Sequence, residues 1–300
     1  MAVEIPFVRE LAFEYGRVDQ ISPMIRRVVA RNPGPFTLYG TGTYIIGKGK
    51  VAVIDPGPYD AEHIACVAAA VEGEQITHQI ITHTHNDHSP GSRLLREYTD
   101  AKTYAYGPHG AGKREQGVQV EEGGDMEFTP DVEVRHGDVV RGEGWSLEAV
   151  YTPGHTSNHV CFALREEKVL FSGDHVMGWS TSIISPPDGD MNAYMASLRL
   201  LLDRDDVAYW PTHGPRIDDP KAHVRAFIAH RQERERQILE CLGAGVHRIA
   251  DMVPKMYIGL DPKLIPAAGR SVYAAMMFMV DNGQVVTDGV SRIDGEFRLP

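Results

Sequence analysis

The chain reads as an α/β layered protein carrying a small helical module at its C-terminus. Three observations predict this. Short apolar stretches closed by Gly, Pro or Asp alternate with helical segments as far as residue 210. Beyond residue 220 the apolar spacing lengthens to that of helices. Residues of metal-ligand type recur just past the ends of several separate strands. The 300 residues are 42% hydrophobic and 24% charged. Such a composition excludes a disordered chain, a coiled coil and a collagen-like repeat. No apolar run approaches the roughly 20 residues of a membrane span.

The elements follow in order. Residues 36–46 and 50–54 (KVAVI) read as paired strands around a Gly-Lys-Gly turn, and Asp55-Pro-Gly-Pro breaks the second. Residues 60–72 are Ala-rich and helical, with Asp60 as N-cap. A short buried strand covers 79–82, a helix lies near 90–98, and a strand covers 102–106. Further strands are expected at 132–135, 146–151, 159–164, 168–172 and 206–210, with a helix at 191–202. A long helix at 221–242 presents Val224, Phe227, Ile228, Arg231, Ile238, Leu239 and Leu242 at roughly helical spacing. Helices at 247–257 and 267–280 and a hairpin around Gly289 complete a winged-helix-like module. The expected division is therefore 1–218 and 219–300.

Cys66, Cys161 and Cys241 lie far apart with no CxxC pair, which suits a reducing compartment better than a disulfide framework. The first residues, MAVEIPFVRELAFEYG, carry charge early and hold no unbroken apolar stretch, so no secretory leader and a cytoplasmic location are expected. Net charge is −11 and uneven: residues 221–300 hold 11 Lys and Arg against 9 Asp and Glu, and the first 220 hold 19 against 32. An acidic body argues against a general nucleic-acid binder, which needs a basic face. It suits cation binding or a small substrate.

Histidine, at 14 residues, carries the chemistry. Directly after the strand at 79–82 stands His83-Thr-His85-Asn-Asp87-His88, four metal-ligand types within six residues. His83 and His85 can point the same way from an extended segment, while Asp87 and His88 follow as the chain turns. Three strands then end in Thr152-Pro-Gly-His155, Gly173-Asp174-His175 and Pro211-Thr-His213. Such strand ends can converge on one sheet edge. Seven ligands exceed the four positions of a tetrahedral zinc, so two cations are expected. His83, His85 and His155 would hold the first, and Asp87, His88 and His213 the second. Asp174 would bridge them, because a carboxylate has two oxygens. Water between the ions would ionise near neutral pH and attack an ester-like bond. Zinc suits this mixed set, as do iron and manganese.

The set His83-x-His85-x-Asp87-His88, Thr-Pro-Gly-His155, Gly-Asp174 and His213 resembles the metallo-β-lactamase superfamily over residues 20–215. The resemblance implies an αββα sandwich with the dinuclear site at one edge, Asp87 as ligand and proton handler, and Asp174 as bridge. Lactamases of that superfamily normally lack an Asp where Asp174 stands and are exported, so a β-lactam is not the expected substrate. Hydroxyacylglutathione hydrolases, lactonases and RNA phosphodiesterases share the full ligand set. The tail HRQERERQILECL and the module after it resemble the lactamase-B-like branch with a C-terminal winged helix, some of whose members are endoribonucleases. The favoured reading is a hydrolase of a small thioester or lactone. The alternatives are an RNA phosphodiesterase, and a nucleic-acid-binding regulator with a structural metal site.

Other residues divide between chemistry and packing. His175 is read as a catalytic or orienting group. Trp179 and Ser180, in the segment after Asp174, could cover the metals, and Tyr194 could polarise a carbonyl or pack a helix. His159 and His109 read as structural, and Asp55 as a carboxylate behind a ligating His. Arg231, Arg234 and Arg236 interleave with Glu233 and Glu235, which reads as a solvated, ion-paired helix rather than a phosphate-binding face. The module is expected to narrow the pocket, to pack beside it or to support a homodimer. No membrane contact is expected.

Overall fold

The computed structural model describes residues 4–110 and 123–300. A first sheet runs in the order β1 (Val18–Gln20), β2 (Ile25–Val29), β3 (Gly42–Ile46), β4 (Lys50–Ile54), β5 (Gln75–Ile80), β6 (Lys102–Ala105) and β7 (Val132–Glu133). It is antiparallel as far as β4 and parallel beyond it. A second sheet is formed by β8 (Val139–Gly142), β9 (Trp145–Tyr151), β10 (Val160–Leu164), β11 (Val169–Gly173) and β12 (Ala208–Pro211), in the spatial order β12-β11-β10-β9-β8. There only the β11–β12 pair is parallel.

The two sheets pack face to face because their strands are apolar on both sides. Side chains alternate along each strand. Tyr44, Ile46, Ala52 and Ile54 meet Trp145, Leu147, Phe162 and Phe171 between the sheets. Ile45, Val51 and Val53 turn the other way, onto Ile64 and Val67 of α1 (Ala61–Ala69) and Leu95 of α2 (Gly91–Leu95). Cys161, Ala163 and Leu170 face Tyr194, Met195 and Leu198 of α3 (Met191–Leu202). Each fully buried aliphatic side chain contributes about 1.5–3 kcal/mol. The result is the αββα sandwich. Side-chain hydrogen bonds help to tie the sheets together: the Tyr44 hydroxyl donates to the Pro211 carbonyl at 2.6 Å, and Trp145 Nε1 to the Lys50 carbonyl at 3.0 Å.

Caps set the helix starts. Asp60 accepts from the amides of Glu62 and His63, and Asp190 from that of Ala193. The long helix α4 (Pro220–Gly243) starts at Asp219, with Pro220 in its first turn. Its first half puts Val224 and Phe227 into the core that holds α3. Its second half puts Ile238 and Leu242 into a separate core with α5 (Ile249–Met256) and α6 (Ile265–Asp281). One helix thus serves both cores across the junction expected near residue 218. A two-stranded pair, β13 (Val286–Thr287) and β14 (Phe297–Arg298), closes the chain, shorter than the hairpin expected around Gly289.

Five strands differ from expectation. β1, β2 and β8 are additional strands. In β2 the pair Arg26-Arg27 masks the strand, yet Arg27 is buried and donates to Asp19 at 3.0 Å. The strand expected over 36–46 begins only at Gly42. The strand expected at 79–82 is longer and earlier, and ends at Ile80.

Candidate metal centre

The site lies on loops at one edge of the sandwich. β9, β11 and β12 run in one direction in their sheet, so their C-terminal ends share that edge. The loop after β5 joins them there, because the Val160 amide donates to the Thr82 carbonyl at 2.8 Å. His83, His85 and His155 present ligand atoms within 4.8 Å of one another. So do Asp87, His88 and His213, and so do His83, His88 and Asp174. Asp174 Oδ2 lies 3.8 Å from His155 Nε2, 3.5 Å from His88 Nε2 and 3.4 Å from His213 Nε2. One carboxylate therefore faces both triads, and the structure brings all seven side chains together.

Fixed acceptors set the imidazoles. A ring nitrogen that donates outward leaves the other with a lone pair for a cation. His155 Nδ1 donates to the Ile183 carbonyl at 2.6 Å, His213 Nδ1 to the Gly40 carbonyl at 3.1 Å, and His88 Nδ1 to Asp55 Oδ2 at 3.0 Å. Each leaves Nε2 toward the cluster. The Thr82 hydroxyl donates to Asp55 Oδ2 at 2.7 Å, so it accepts from His83 Nδ1 at 3.2 Å and orients a fourth ring. Asp55 also accepts from the Thr82 amide and the Thr212 hydroxyl. It is fully buried and holds a left-handed backbone at φ 47°, a conformation that persists where surroundings over-determine it. One carboxylate thus governs His88 directly and His83 through a hydroxyl. Asp55→Asn is expected to weaken divalent-metal affinity by about 10- to 100-fold, read by competition with a chelator. Unchanged affinity would contradict that role.

Burial, reinforced by the neighbouring imidazoles, holds His83 and His85 well below the usual histidine range. Neutral rings are what a cation requires. Burial would also push His88 and His213 down, but Asp87 and Asp174 outweigh it, holding His88 well up and His213 at about 10. Asp174 is held well below the carboxylate range despite burial, by His213 and His88. The carboxylates thus demand positive charge at this spot. His88 Nε2 and Asp174 Oδ1 are buried without a hydrogen-bond partner, and such orphans are costly. A divalent cation answers both, and the donor set fits.

Gly154 explains the Thr-Pro-Gly-His turn. Its φ is 140°, and a Cβ there would lie 2.4 Å from Tyr194 Cα and 2.6 Å from Tyr194 N. The loop lies directly on the start of α3, where the Asp190 amide donates to the Gly154 carbonyl at 2.9 Å, and this seats His155.

Two further candidate residues lie in the core beside the site. His175 is fully buried, neither ring nitrogen has a hydrogen-bond partner, and its ring packs on Tyr194 at 4.8 Å. Burial, then His155 and Arg231, hold it down at about 3, so the ring is uncharged near neutral pH. Tyr194 is also fully buried and donates to the His175 carbonyl at 2.9 Å, which leaves it no substrate surface. Trp179 is nearly buried against Gly214, beside His213, and Ser180 is half-buried next to it.

Other groups were less visible in the sequence. Thr41 Oγ1 lies 3.3 Å from Asp87 Oδ2, and the Asp174 amide donates to His159 Nε2 at 3.2 Å. The signal for Thr82 and Thr212 was adjacency to ligand histidines. Nothing in the sequence marked the carbonyls of Gly40 and Ile183.

Two packed sheets with helices outside, and buried imidazoles and carboxylates on the loops of one edge, define a metal-binding hydrolase fold. A family model described as the metallo-beta-lactamase superfamily matches residues 37–213, and the chain belongs to that superfamily. The lactamase-like protein adaB of Aspergillus niger is 33% identical, over 96% of this chain and 94% of its own. A protein named atrochrysone carboxyl ACP thioesterase, from Claviceps purpurea, is 32% identical over 80% of this chain and 74% of its own. The crystal structure of a beta-lactamase domain protein from Burkholderia ambifaria superposes with a TM-score of 0.79 at 17% identity, covering 99% of this chain and 97% of that one.

Proposed function

We propose that the chain is a dinuclear metal-dependent hydrolase of a small-molecule thioester, with zinc as the resident metal. The observation that carries this reading is the shared position of Asp174, whose Oδ2 faces ligand atoms of both triads. His83, His85 and His155 would hold one cation, Asp87, His88 and His213 the other, and Asp174 both. Bound there, a divalent pair supplies Lewis acidity and an ionised water at neutral pH.

The chain's own groups do the rest. Asp87 is the most open of the carboxylate ligands, with its side chain 21% exposed against 9% for Asp174. Substrate therefore arrives on the Asp87 side, where that carboxylate, steadied by Thr41, handles the proton of the leaving thiol. The thioester class is supported by the thioesterase name of the Claviceps relative. Residues 219–300 act as a wall to the site, in a winged-helix-like arrangement. Three free cysteines support a cytoplasmic setting, and no described helix is long and apolar enough to cross a membrane.

A panel of a glutathione thioester, an acyl lactone, a chromogenic β-lactam and single-stranded RNA, each with and without chelator, tests the substrate class. Thioester turnover at least tenfold above the other three, abolished by chelator, is expected. RNA cleavage that disappears in His83→Ala, with the thioester inert, would overturn the proposal.

A further inference from the structure

A cavity of about 180 Å³ lies between the loop after β11 and the C-terminal helices. That volume suits one end of a ligand rather than a whole one. Phe36, Met177, Ile183 and Leu264 give it apolar walls, and Trp179, His230, Arg231 and Arg234 give it polar ones. Arg231 is 6% exposed. One of its amino groups donates to the Ser182 carbonyl, and its guanidinium lies 5.2 Å from the Tyr194 ring centroid. Its place in the apolar stripe of α4 corrects the reading of the arginine run as a solvated face. Only Arg236 fits that reading, paired with Glu233 and Glu240.

Four polar atoms on these walls are buried without a hydrogen-bond partner: Trp179 Nε1, His230 Nδ1, Arg231 Nε and Arg234 Nε. Unmet buried polar groups cost about 1–3 kcal/mol each, and four of the residues that carry them gather around this one cavity, which marks it as a place where polar groups of a ligand would be taken up. No Asp or Glu is among the described residues lining it. Burial, then the charges of Arg231 and Arg234, hold His230 down at about 3 against the opposing charge of Glu233, which is not itself among the lining residues. The chain as a whole carries −11.

The cavity adjoins the metal centre through two walls. Ile183 lends its carbonyl to His155, and Trp179 packs on Gly214 beside His213. We propose that this cavity receives an oxyanion of the substrate, remote from the scissile bond, which Arg231 and Arg234 neutralise while the apolar walls take the adjoining carbon chain. The inference rests on the thioester reading and narrows it to amphipathic thioesters bearing a carboxylate or phosphate. Guanidinium groups recognise both.

The oxyanion could sit on the acyl or the thiol side. Glutaryl and pentanoyl thioesters of N-acetylcysteamine differ only on the acyl side, and acyl thioesters of 4′-phosphopantetheine and pantetheine only on the thiol side. Arg234→Gln is expected to lower kcat/KM at least tenfold on the anionic member of one pair and less than twofold on its neutral counterpart. Arg234→Lys, which keeps the charge, should recover most of the loss. The pair that responds identifies the source. Equal effects on both members of both pairs, or no effect, would overturn the subsite. Calorimetric titration of the metal-loaded protein with glutarate and with inorganic phosphate gives a readout independent of turnover. Arg234→Gln should lose one anion site and keep any on the cations. If the wild type turns over none of the four thioesters, the thioester proposal fails, and this titration alone decides the subsite. An unchanged titration would then reject it.

Discussion

Replacing Asp174 by Ala is expected to reduce chelator-sensitive turnover more than the roughly hundredfold typical of losing a group that merely orients a ligand. Among the described residues Asp174 is the carboxylate that faces both triads, and its removal takes negative charge from His88 and His213 together. The site then loses both a ligand oxygen and the negative charge that offsets two cations lying close together. Asp174→Asn keeps the shape and loses the charge, so it should fall nearly as far. Steady-state kinetics on the best thioester of the panel, with far-ultraviolet circular dichroism to confirm folding, checks both. Retention of more than a tenth of the activity in either variant would remove the bridging role.

Gly154→Ala is expected to cost about 3–5 kcal/mol of stability, adding overpacking to a backbone conformation nearly reserved for Gly. The atoms a Cβ would strike are backbone and Cβ of Tyr194, which cannot swing aside. That is a large part of the 5–15 kcal/mol that holds a typical domain. Urea denaturation followed by fluorescence measures it. Gly243→Ala is the control: it lies in α4, with nothing within 4 Å of its Cβ position, and should be neutral or stabilise by about 0.5–1 kcal/mol. Equal midpoints for the two variants would show that the loop does not sit on α3 as tightly as described. Because His155 follows Gly154, any surviving Gly154→Ala protein should also bind metal less tightly.

The cluster of candidate ligands is legible in the sequence because metal chemistry draws on few residue types and because each of them follows a strand that its own apolar pattern announces. His83 to His88 are contiguous, and His155, Asp174 and His213 stand beside Gly or Pro at strand ends. Asp55 is half legible: its strand-end position suggests an orienting carboxylate, but its four partners come from residues 82, 88 and 212, which only the folded sheets bring together. The β2 strand is hidden because local pattern reads Arg26-Arg27 as surface, whereas the ion pairs with Glu74 and Asp19 that permit their burial are non-local. Arg231 fails for the opposite reason. It falls on the apolar stripe with Phe227 and Ile238, but the alternating charges around it suggest water, and only the Ser182 carbonyl and Tyr194 ring explain its burial. For His175 and Tyr194 the sequence leaves site and packing roles open, because adjacency does not say which way a side chain points; both are buried, with the Tyr194 hydroxyl on the His175 carbonyl.

Metal stoichiometry decides whether two triads joined by Asp174 form one dinuclear centre. Protein purified without added metal, then stripped and titrated with zinc, should bind two ions per chain by elemental analysis and calorimetry, with manganese and iron as weaker competitors. Binding of one ion or none, with turnover indifferent to chelator, would contradict it.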